Sequence, residues 1–557
     1  MPSKSVYLET FGCQMNELDS ELVAGSLGAL GYRFTADADE ADIVLYNTCS
    51  VRERAEQKVW SRLGEMKHKK KKQPDLVVGV LGCMAERDGQ DLISRMPVVD
   101  IMCGPSELDK LPELLDNAVR TKASLADSSP EVAIRKSAKQ VALQGNASRR
   151  SSTLAAAGDS LESLDLGRMI SPVDFDGRRS AYVRITRGCN KFCTYCVVPH
   201  TRGAEIHRPP QNIIDEIKAL AETGIVEITL LGQTVNHYRF EHDEAVTLDG
   251  IVQPQKGRAY KGSHNRDSFE GANTTTFADL LYRIHEEVPS IQRLRFLTSY
   301  PRDFGDDVLQ VIRDCPRICR FIHVPAQTGS NRMLKMMNRG HSIEEYYDFI
   351  ARCNEYLHQP EIGRPLMLGG DIIVGFPTET DEDHEFTKEL LTRSRYKNCY
   401  IFKYSPRPGT VSYDKIPDDI PDAVKRLRNN ELLDLQTEIS DSIGREQIGG
   451  EFDIFVEGLS RREHKKRGTD VKPGAGMVGI TIGGAAPQSP QAEIAVLDPE
   501  IQGPTVQMSG RTDGDLIVFF DVPTDAVKLP SEYIGQIVRT KITSADKLTL
   551  NGILVDN

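Results

Sequence analysis

Three cysteines lie within eight residues, at Cys189, Cys193 and Cys196, and this spacing constrains the chain more than any other feature. Structural zinc usually has four ligands from paired Cys and His residues, and no fourth ligand stands nearby at matching spacing. Soft thiolates also select iron–sulfur centres, and three thiolates leave one iron of a 4Fe-4S cluster open for chemistry. The run therefore favours a cluster with an open iron, and a zinc site or a structural role stays open as the alternative.

Length and charge set the frame around this run. A chain of 557 residues predicts three or so domains, and a hydrophobic content of 39% is enough for their cores. The formal net charge of −12 does not indicate a nucleic-acid-binding protein, so any RNA contact must come from local basic patches. The sequence shows no cationic leader followed by an apolar run and no apolar stretch of about 18 residues. We expect a soluble cytoplasmic protein without a membrane segment, where thiols stay reduced and favour metal binding over disulfides.

A second set of cysteines follows strands in the first 120 residues. Buried-strand patterns at about 5–9, 42–47, 76–81 and 98–102 alternate with helical patterns, which predicts an α/β domain with a parallel doubly wound sheet. Cys13, Cys49 and Cys83 each come a few residues after a strand, so they are expected to converge at one sheet edge as a second three-thiolate site. The alternative is that they are packed as small hydrophobic residues, which is the prediction for Cys103.

The rest of the chain divides by composition. We predict domain boundaries at 1–120, a flexible linker over 121–177, a partial (β/α) barrel over 178–442, and a small antiparallel β-barrel over 443–557. Two polar stretches, about 238–276 and 468–509, are predicted as loop insertions, the first containing His242 and His264.

Two basic runs stand out in this acidic chain. Lys67 and the run 69–72 are predicted as a solvated loop, with a phosphate contact as the alternative. A cluster in the last domain is expected to hold phosphate, with a plain surface turn as the alternative; its members are Arg461, Arg462, Lys465, Lys466 and Arg467.

The central cysteine run resembles the signature of radical S-adenosylmethionine (SAM) enzymes, with the aromatic Tyr195 just before the third cysteine. The resemblance implies that Cys189, Cys193 and Cys196 hold a 4Fe-4S cluster whose open iron binds SAM, and that Tyr195 lies against the adenine. It also implies a 5′-deoxyadenosyl radical that removes hydrogen from an unactivated carbon. Three strand-end segments resemble further motifs of this family, which implies SAM or substrate contacts for Gln233, Asn236 and Gln327; their alternative role is to satisfy turn backbone.

The cysteines of the first domain carry a narrower resemblance. Phe11-Gly-Cys13, Asn47-Thr-Cys49 and Gly82-Cys83 look like the amino-terminal domain of the methylthiotransferases, of the MiaB type that acts on tRNA. This implies that Cys13, Cys49 and Cys83 hold an auxiliary 4Fe-4S cluster. The last domain, with Gly510-Arg511-Thr512, is similar to TRAM, an RNA-binding barrel. No catalytic residue beyond the cluster ligands is identified.

The resemblance implies a transferase that methylthiolates carbon 2 of N6-dimethylallyladenosine next to the anticodon. Two molecules of SAM are used: one methylates a sulfur on the auxiliary cluster and the other yields the radical. An electron donor such as flavodoxin or ferredoxin is implied, and the sulfur source is left open. Rival substrates in the family are threonylcarbamoyladenosine in tRNA and an aspartate of a ribosomal protein. From another class, the rival is a non-catalytic, metal-containing RNA-binding protein.

Overall fold

The computed structural model describes residues 4–50, 53–124, 139–143, 161–162, 164–165, 179–242, 247–248, 251–252, 274–466, 481–482, 505–523 and 530–555. These residues form an amino-terminal α/β sheet domain, a central half-barrel of strands and helices, and a carboxyl-terminal closed β-barrel. Within the described part of the chain, no helix has both the length and the apolar character that a membrane crossing requires.

The amino-terminal domain is built on a parallel sheet in the order β2-β1-β3-β4-β5-β6. Strands β3 and β4 are fully buried and, apart from the last two residues of β3, apolar, as expected for a parallel sheet covered by helices on both faces. The strands are β1 (Ser5–Phe11), β2 (Arg33–Phe34), β3 (Ile43–Thr48), β4 (Val77–Gly82), β5 (Ile101–Cys103) and β6 (Gln140–Ala142), and the helices are α1 (Gln14–Ala29), α2 (Glu53–Lys72), α3 (Cys83–Arg95) and α4 (Leu111–Ser124).

The central domain carries two three-stranded parallel sheets, β15-β10-β7 and β16-β17-β18, which a parallel bridge between Leu294 and Ile318 connects. This is the predicted partial barrel, with one strand, β18, that the sequence pattern missed. Its strands are β7 (Ser180–Arg184), β8 (Thr186–Arg187), β9 (Ile206–His207), β10 (Glu227–Leu231), β11 (Arg239–Glu241), β12 (Thr247–Leu248), β13 (Ile251–Val252), β14 (Thr274–Thr276), β15 (Arg293–Phe296), β16 (Phe321–His323), β17 (Met367–Val374) and β18 (Asn398–Lys403). Its helices are α5 (Val198–Thr201), α6 (Pro210–Glu222), α7 (Phe277–Glu287), α8 (Asp306–Asp314), α9 (Asn331–Met336), α10 (Ile343–Leu357), α11 (Asp381–Ser394), α12 (Val411–Lys415) and α13 (Asp422–Glu446).

The carboxyl-terminal domain is a closed barrel in the order β19-β21-β22-β24-β23. Its pairings are antiparallel except for β22 with β24, which is parallel. The barrel confirms the predicted fold of this domain and is consistent with TRAM. Its elements are β19 (Glu451–Leu459), α14 (Arg461–Lys466), β20 (Thr481–Ile482), β21 (Thr505–Arg511), β22 (Ile517–Pro523), β23 (Ile537–Asp546) and β24 (Thr549–Leu554), of which β20 pairs instead with β1.

The carboxyl-terminal barrel packs against the central domain at β15. Arg293 donates to the carbonyl of Arg511 (2.7 Å), and Arg295 donates to the carbonyl of Thr512 (2.8 Å). Both donors stand on β15, and Arg295 also pairs with Glu227 at the start of β10 (2.7 Å). The barrel therefore meets the amino-terminal end of these strands, whereas the cysteine loop leaves the carboxyl end of β7.

Two predicted loops need correction. The stretch 468–509 is not loop to its end, because Thr505 to Ser509 belong to β21. The residues of β21 alternate between buried and less buried positions, as expected for a strand in a barrel wall. The Gly- and Pro-rich sequence before them made this two-residue period hard to recognise. The basic run 69–72 is not a loop either: it forms the last turn of α2, and Lys70 is fully buried on Asp100. Most of the predicted insertion 238–276, with His264, lies outside the described residues.

The predicted linker 121–177 is also part of the folded domains wherever it is described. Helix α4 continues to Ser124, and β6 adds a parallel strand beside β5. Leu161 and Leu164 join the core of the amino-terminal domain. Glu162 accepts from Arg208 (2.8 Å) and Asp165 pairs with Arg184, both arginines belonging to the central domain. These short pieces connect two domains, so the flexible-linker prediction does not hold for them.

Candidate metal centres

The first thiol triad lies at the carboxyl ends of three neighbouring strands. Cys13 directly precedes α1, Cys49 follows β3, and Cys83 begins α3 after β4. The turn into Cys83 depends on Gly82, whose φ is +87° and where an added Cβ would lie 2.4 Å from Asn47 Oδ1. A side chain at this position would both strain the backbone and collide with a buried amide. The predicted convergence of the three thiols at one sheet edge is what the fold produces.

Buried amides fix the position of Cys13. The Asn16 amide donates to Asn47 Oδ1 (3.1 Å), and the Asn47 amide donates back to the Asn16 carbonyl (2.9 Å) and to Ser20 Oγ (2.9 Å). The Cys13 thiol lies 3.5 Å from Asn16 Oδ1. Because these groups are buried and mutually satisfied, they hold the first turn of α1 rigidly against the end of β3.

One arginine from the central domain reaches the first triad. Arg202 Nη2 donates to Asp19 Oδ2 at 2.7 Å, and both side chains are buried. The pKa of the Cys13 thiol is lowered to about 6, first by a hydrogen bond with the Cys49 thiol and further by the charge of Arg202. The charges of Cys13 and Cys83 in turn act on Arg202, so its guanidinium lies close to both thiols. The site therefore favours the thiolate of Cys13, which is the form that binds metal.

The second triad is held by a loop that folds around glycine. Gly188 has φ +73°, and a Cβ there would lie 2.0 Å from the Ala204 carbonyl oxygen, so only glycine allows the loop to close in front of Cys189. The Cys189 amide donates to the Gly203 carbonyl (3.2 Å), and the Cys196 amide donates to the Cys193 carbonyl (3.0 Å). These backbone bonds close the loop that carries the three cysteines.

The segment after α9 supports this loop from the other side. Thr194 donates to the Met337 carbonyl through its amide (3.0 Å) and to the Met336 carbonyl through its hydroxyl (2.9 Å). Arg339 Nη1 lies 3.5 Å from Cys193 Sγ, while Nη2 donates to the Pro325 carbonyl (2.7 Å). The guanidinium also stacks on Tyr300, 4.6 Å from the ring centroid. Each triad thus has one arginine beside it, the buried Arg202 at the first and the half-buried Arg339 at the second.

Burial has the largest effect on the pKa values of two thiols of the second triad. It raises the pKa of Cys189 to about 11 and raises that of Cys196 as well. The charge of Cys193 raises both pKa values further, because neighbouring thiolates repel one another. A bound cation removes this penalty, because ligation replaces the proton on each sulfur.

The donor sets fit iron–sulfur clusters better than single ions. Ser50, next to Cys49, has a fully buried hydroxyl oxygen with no hydrogen-bond partner among the described residues, as expected beside an acceptor such as a cluster sulfur. Among the described residues, neither thiol triad has its three sulfur atoms all within 4.8 Å of one another. The set of ligand atoms that does meet this limit belongs to Glu205, His207 and His237. A cluster separates its cysteine ligands because each thiolate binds its own iron.

The predicted SAM-contact residues lie around the second triad in different roles. Tyr195 packs against a group of apolar side chains that includes Met333 and Phe376. Gln233 is half-buried in the turn after β10. Gln327 is in a left-handed conformation (φ +77°), and its backbone bridges to β17. The Asn236 amide is bound on both sides by the backbone of Tyr300, at 2.8 Å each, which is the structural alternative considered for it. Cofactor contact stays a prediction for all four.

Sequence reasoning missed the residues that support the triads. No sequence motif marks Arg202, Asp19 or Arg339, because each contacts its partner across a long sequence separation. His207 and His237 were also missed; their position close to Glu205 depends on two loops that only the fold brings together. Cys103, in contrast, is packed in the core of the amino-terminal domain, as its prediction states.

Comparison with known proteins gives family matches for both cysteine-bearing domains. Residues 5–104 match the Uncharacterized protein family UPF0004, and residues 183–391 match the Radical SAM superfamily. Relatives named tRNA-2-methylthio-N(6)-dimethylallyladenosine synthase occur in several bacteria. The one from Rhodopirellula baltica is 37% identical over 93% of this chain and 90% of its own length. The one from Phocaeicola vulgatus is 34% identical over 99% of this chain and 96% of its own. The one from Aquifex aeolicus is 36% identical over 82% of this chain and 88% of its own.

Proposed function

We propose that this chain, which belongs to the tRNA-2-methylthio-N6-dimethylallyladenosine synthase family, methylthiolates carbon 2 of N6-dimethylallyladenosine in tRNA. One observation carries the proposal: relatives with this name match at 34–37% identity over nearly the whole chain, including all three domains. The chain is accordingly a radical SAM transferase. The rival substrates and the non-catalytic alternative have no comparable support.

The cofactors are SAM and two 4Fe-4S clusters. Each cluster is held by one thiol triad. Cys189, Cys193 and Cys196 hold the first cluster at the carboxyl end of β7, and the auxiliary cluster is held by Cys13, Cys49 and Cys83. When bound, SAM on the open iron of a three-thiolate cluster supplies a radical that removes hydrogen from an unactivated carbon. The target carbon has no leaving group, so acid–base chemistry alone does not suffice.

The protein's own residues orient and charge-balance these groups. Arg202 places a buried positive charge beside the thiols of Cys13 and Cys83, and its pair with Asp19 fixes the guanidinium across the boundary between the two domains. Arg339 has the corresponding place beside Cys193. The two cluster sites belong to the two domains that Arg202 and Asp19 join, and we propose that a base extruded from a single-stranded loop reaches both.

The tRNA backbone is bound by the exposed basic side chains of α14. Arg461, Arg462, Lys465 and Lys466 are exposed on this helix, beside barrel strand β21, and Arg467 lies outside the described residues. In a chain of net charge −12 such a local patch is needed to attract phosphate. A flavodoxin or ferredoxin is the proposed electron donor, in the cytoplasm, and no residue is assigned to its binding.

The direct test is mass spectrometry of nucleosides from the bulk tRNA of a strain that lacks this gene, beside its parent and a complemented strain. The proposal predicts loss of 2-methylthio-N6-dimethylallyladenosine, accumulation of the unthiolated nucleoside, and restoration by the intact gene. Complementation with a Cys13→Ala or a Cys193→Ala variant is expected to fail. An unchanged profile of this nucleoside in a strain without a second such enzyme would contradict the tRNA assignment, and loss of a threonylcarbamoyladenosine derivative would favour that rival.

A further inference from the structure

A third ligand cluster stands beside the second triad without using any cysteine. Its members are Glu205, His207 and His237, and their ligand atoms all lie within 4.8 Å of one another. His237 Nδ1 lies 2.8 Å from Glu205 Oε1, and His207 Nε2 lies 3.9 Å from the same oxygen. Four-coordinate zinc with bonds near 2.05 Å places its ligand atoms about 3.3 Å apart, so the three groups already bracket the separation that one ion needs.

The fold supplies these ligands from two separate loops. His207 stands on β9, paired opposite Thr186 of β8, and Glu205 comes just before it. His237 ends a short 3-10 turn, Val235–His237, in the loop after β10. One side of the cluster is thus tied to the cysteine loop and the other to the neighbouring strand end. A shared ligand would fix the two loops relative to each other.

Two atoms of the cluster lack partners among the described residues. Glu205 Oε2 and His207 Nδ1 are buried and accept or donate no hydrogen bond. The Glu205 side chain is only 1% exposed, and a buried carboxylate oxygen without a partner is costly. The Glu205 amide is satisfied by Asn190 Oδ1 (3.1 Å), so the loop position itself is well supported. The unmet demand is on the carboxylate, which is the group a cation would satisfy.

The positively charged side chains near the cluster are compensated by their own carboxylates, so they do not oppose the binding of a cation. Lys191 is paired with Asp303 at 2.5 Å, and Arg239 is paired with Glu241 at 3.2 Å, so each positive side chain near the cluster has its own counter-ion. The ring of Tyr238 meets His207 edge-on, with centroids 5.6 Å apart, and closes one flank. His237 is about one-third exposed, which provides an entry path.

We propose that Glu205, His207 and His237 bind one divalent transition-metal ion of the zinc or ferrous class. Two imidazoles and one carboxylate are a donor set that these ions accept, with a further position left for water. The ion fastens the cysteine loop to the end of β10. The site is separate from both thiol triads, and its test does not depend on the substrate of the enzyme.

The experiment uses the full-length protein with both clusters reconstituted, so that the cysteine thiols are occupied. The sample is incubated anaerobically with Zn²⁺, passed through a desalting column, and analysed for zinc and iron by mass spectrometry. The wild type is expected to retain about one zinc per chain without losing iron. His207→Gln and His237→Gln are each expected to lower the retained zinc at least fivefold, whereas the control His242→Gln keeps it.

Three outcomes would overturn the proposal: a wild type that retains no zinc above a buffer control, zinc uptake that is matched by iron loss, or equal retention in wild type and both variants. Circular dichroism and iron content establish that each variant is folded. If a His→Gln variant fails to fold, Glu205→Gln gives the decisive comparison, because it keeps the shape of the side chain and one acceptor oxygen while removing its charge. Unchanged zinc in a folded Glu205→Gln protein would contradict the site.

Discussion

Arg202 of the central domain donates to Asp19 of the amino-terminal domain at 2.7 Å, in a pair that both domains bury. Its positive charge also lowers the pKa of the Cys13 thiol. A single side chain, six residues after the last cysteine of the second triad, thereby contributes positive charge to the surroundings of the first. The two proposed cluster sites are connected through this residue, and each charge of the pair can be changed separately.

Replacing Arg202 by Met should lower the reduction potential of the auxiliary cluster. The arginine's positive charge favours the more negative, reduced cluster, and an effect of about 60 mV corresponds to a tenfold change for one electron. The measurement is a redox titration followed by electron paramagnetic resonance, in full-length protein whose Cys189, Cys193 and Cys196 are changed to Ala so that one cluster remains.

Two further variants test the direction of the predicted shift in reduction potential. Asp19→Asn leaves the charge of Arg202 uncompensated, so it should move the potential in the opposite direction, upwards. Arg202→Lys keeps the charge and should recover most of the wild-type value. A downward shift in Asp19→Asn, or equal potentials in all variants, would show that Arg202 has only a packing role.

Arg339→Met should slow SAM cleavage while leaving the auxiliary cluster intact. Arg339 contacts Cys193 and stacks on Tyr300, and a hydrogen bond to a charged group is worth about 1.5–3 kcal/mol, or tenfold and more in rate. The measurement is 5′-deoxyadenosine formation under reducing conditions, with iron content determined on the same sample. Arg393→Met, which removes a comparable stacked arginine on the outer surface, is the control and should cleave SAM at the wild-type rate.

Neutralising α14 should weaken tRNA binding and reduce its salt dependence. With Arg461, Arg462, Lys465 and Lys466 changed to Gln, the slope of log affinity against log salt should fall by about 3, because each lost phosphate contact removes about 0.7–0.9. Filter binding at several salt concentrations measures it. The double variant Arg313→Gln/Arg393→Gln removes exposed charge from helices of the central domain and should leave the slope nearly unchanged; an equal effect of both variants would remove α14 from the interface.

The buried cluster around Asp100 should make the stability of the amino-terminal domain pH-dependent. Lys70 and Lys122 both contact this carboxylate, the latter at 3.3 Å, and burial lowers the pKa of Lys70 to about 7. Unfolded Lys70 titrates near its ordinary pKa of about 10.4. Between about pH 7 and 10 the unfolded chain therefore holds more protons than the folded chain, so stability rises with pH, by up to about 1.4 kcal/mol per pH unit.

Urea unfolding followed by the fluorescence of Trp60 measures this effect, since Trp60 is the chain's one tryptophan and lies on α2 with Lys70. Lys70→Met should flatten the rise between pH 7 and 9. Asp100→Asn should be the more harmful change, by about 3–5 kcal/mol, because it leaves buried lysines without a counter-ion. A pH profile identical in wild type and Lys70→Met would contradict the assignment of the titration to Lys70.

The parts that the sequence predicts well are those with a local signature. Cys13, Cys49 and Cys83 follow strands that are rich in apolar residues, so parallel-sheet topology places them at one edge without further information. Lys70 was predicted wrongly because a run of lysines is ordinarily solvated, and its counter-ion Asp100 stands 30 residues away. The same limit applies to Arg202 and Asp19, which are 183 residues apart. Pairings of this kind depend on how domains dock, and neither hydrophobic period nor residue spacing encodes that.

The most direct test of the account is a reaction of the purified, doubly reconstituted protein with SAM, a reductant and tRNA that carries N6-dimethylallyladenosine. Nucleosides and SAM products are then quantified together. Wild type is expected to form 2-methylthio-N6-dimethylallyladenosine together with 5′-deoxyadenosine. The variant with Ala at Cys13, Cys49 and Cys83 is expected to form 5′-deoxyadenosine without the methylthiolated nucleoside, and the variant with Ala at Cys189, Cys193 and Cys196 is expected to form neither product. Methylthiolation that survives loss of either triad would contradict the assignment of one cluster to each.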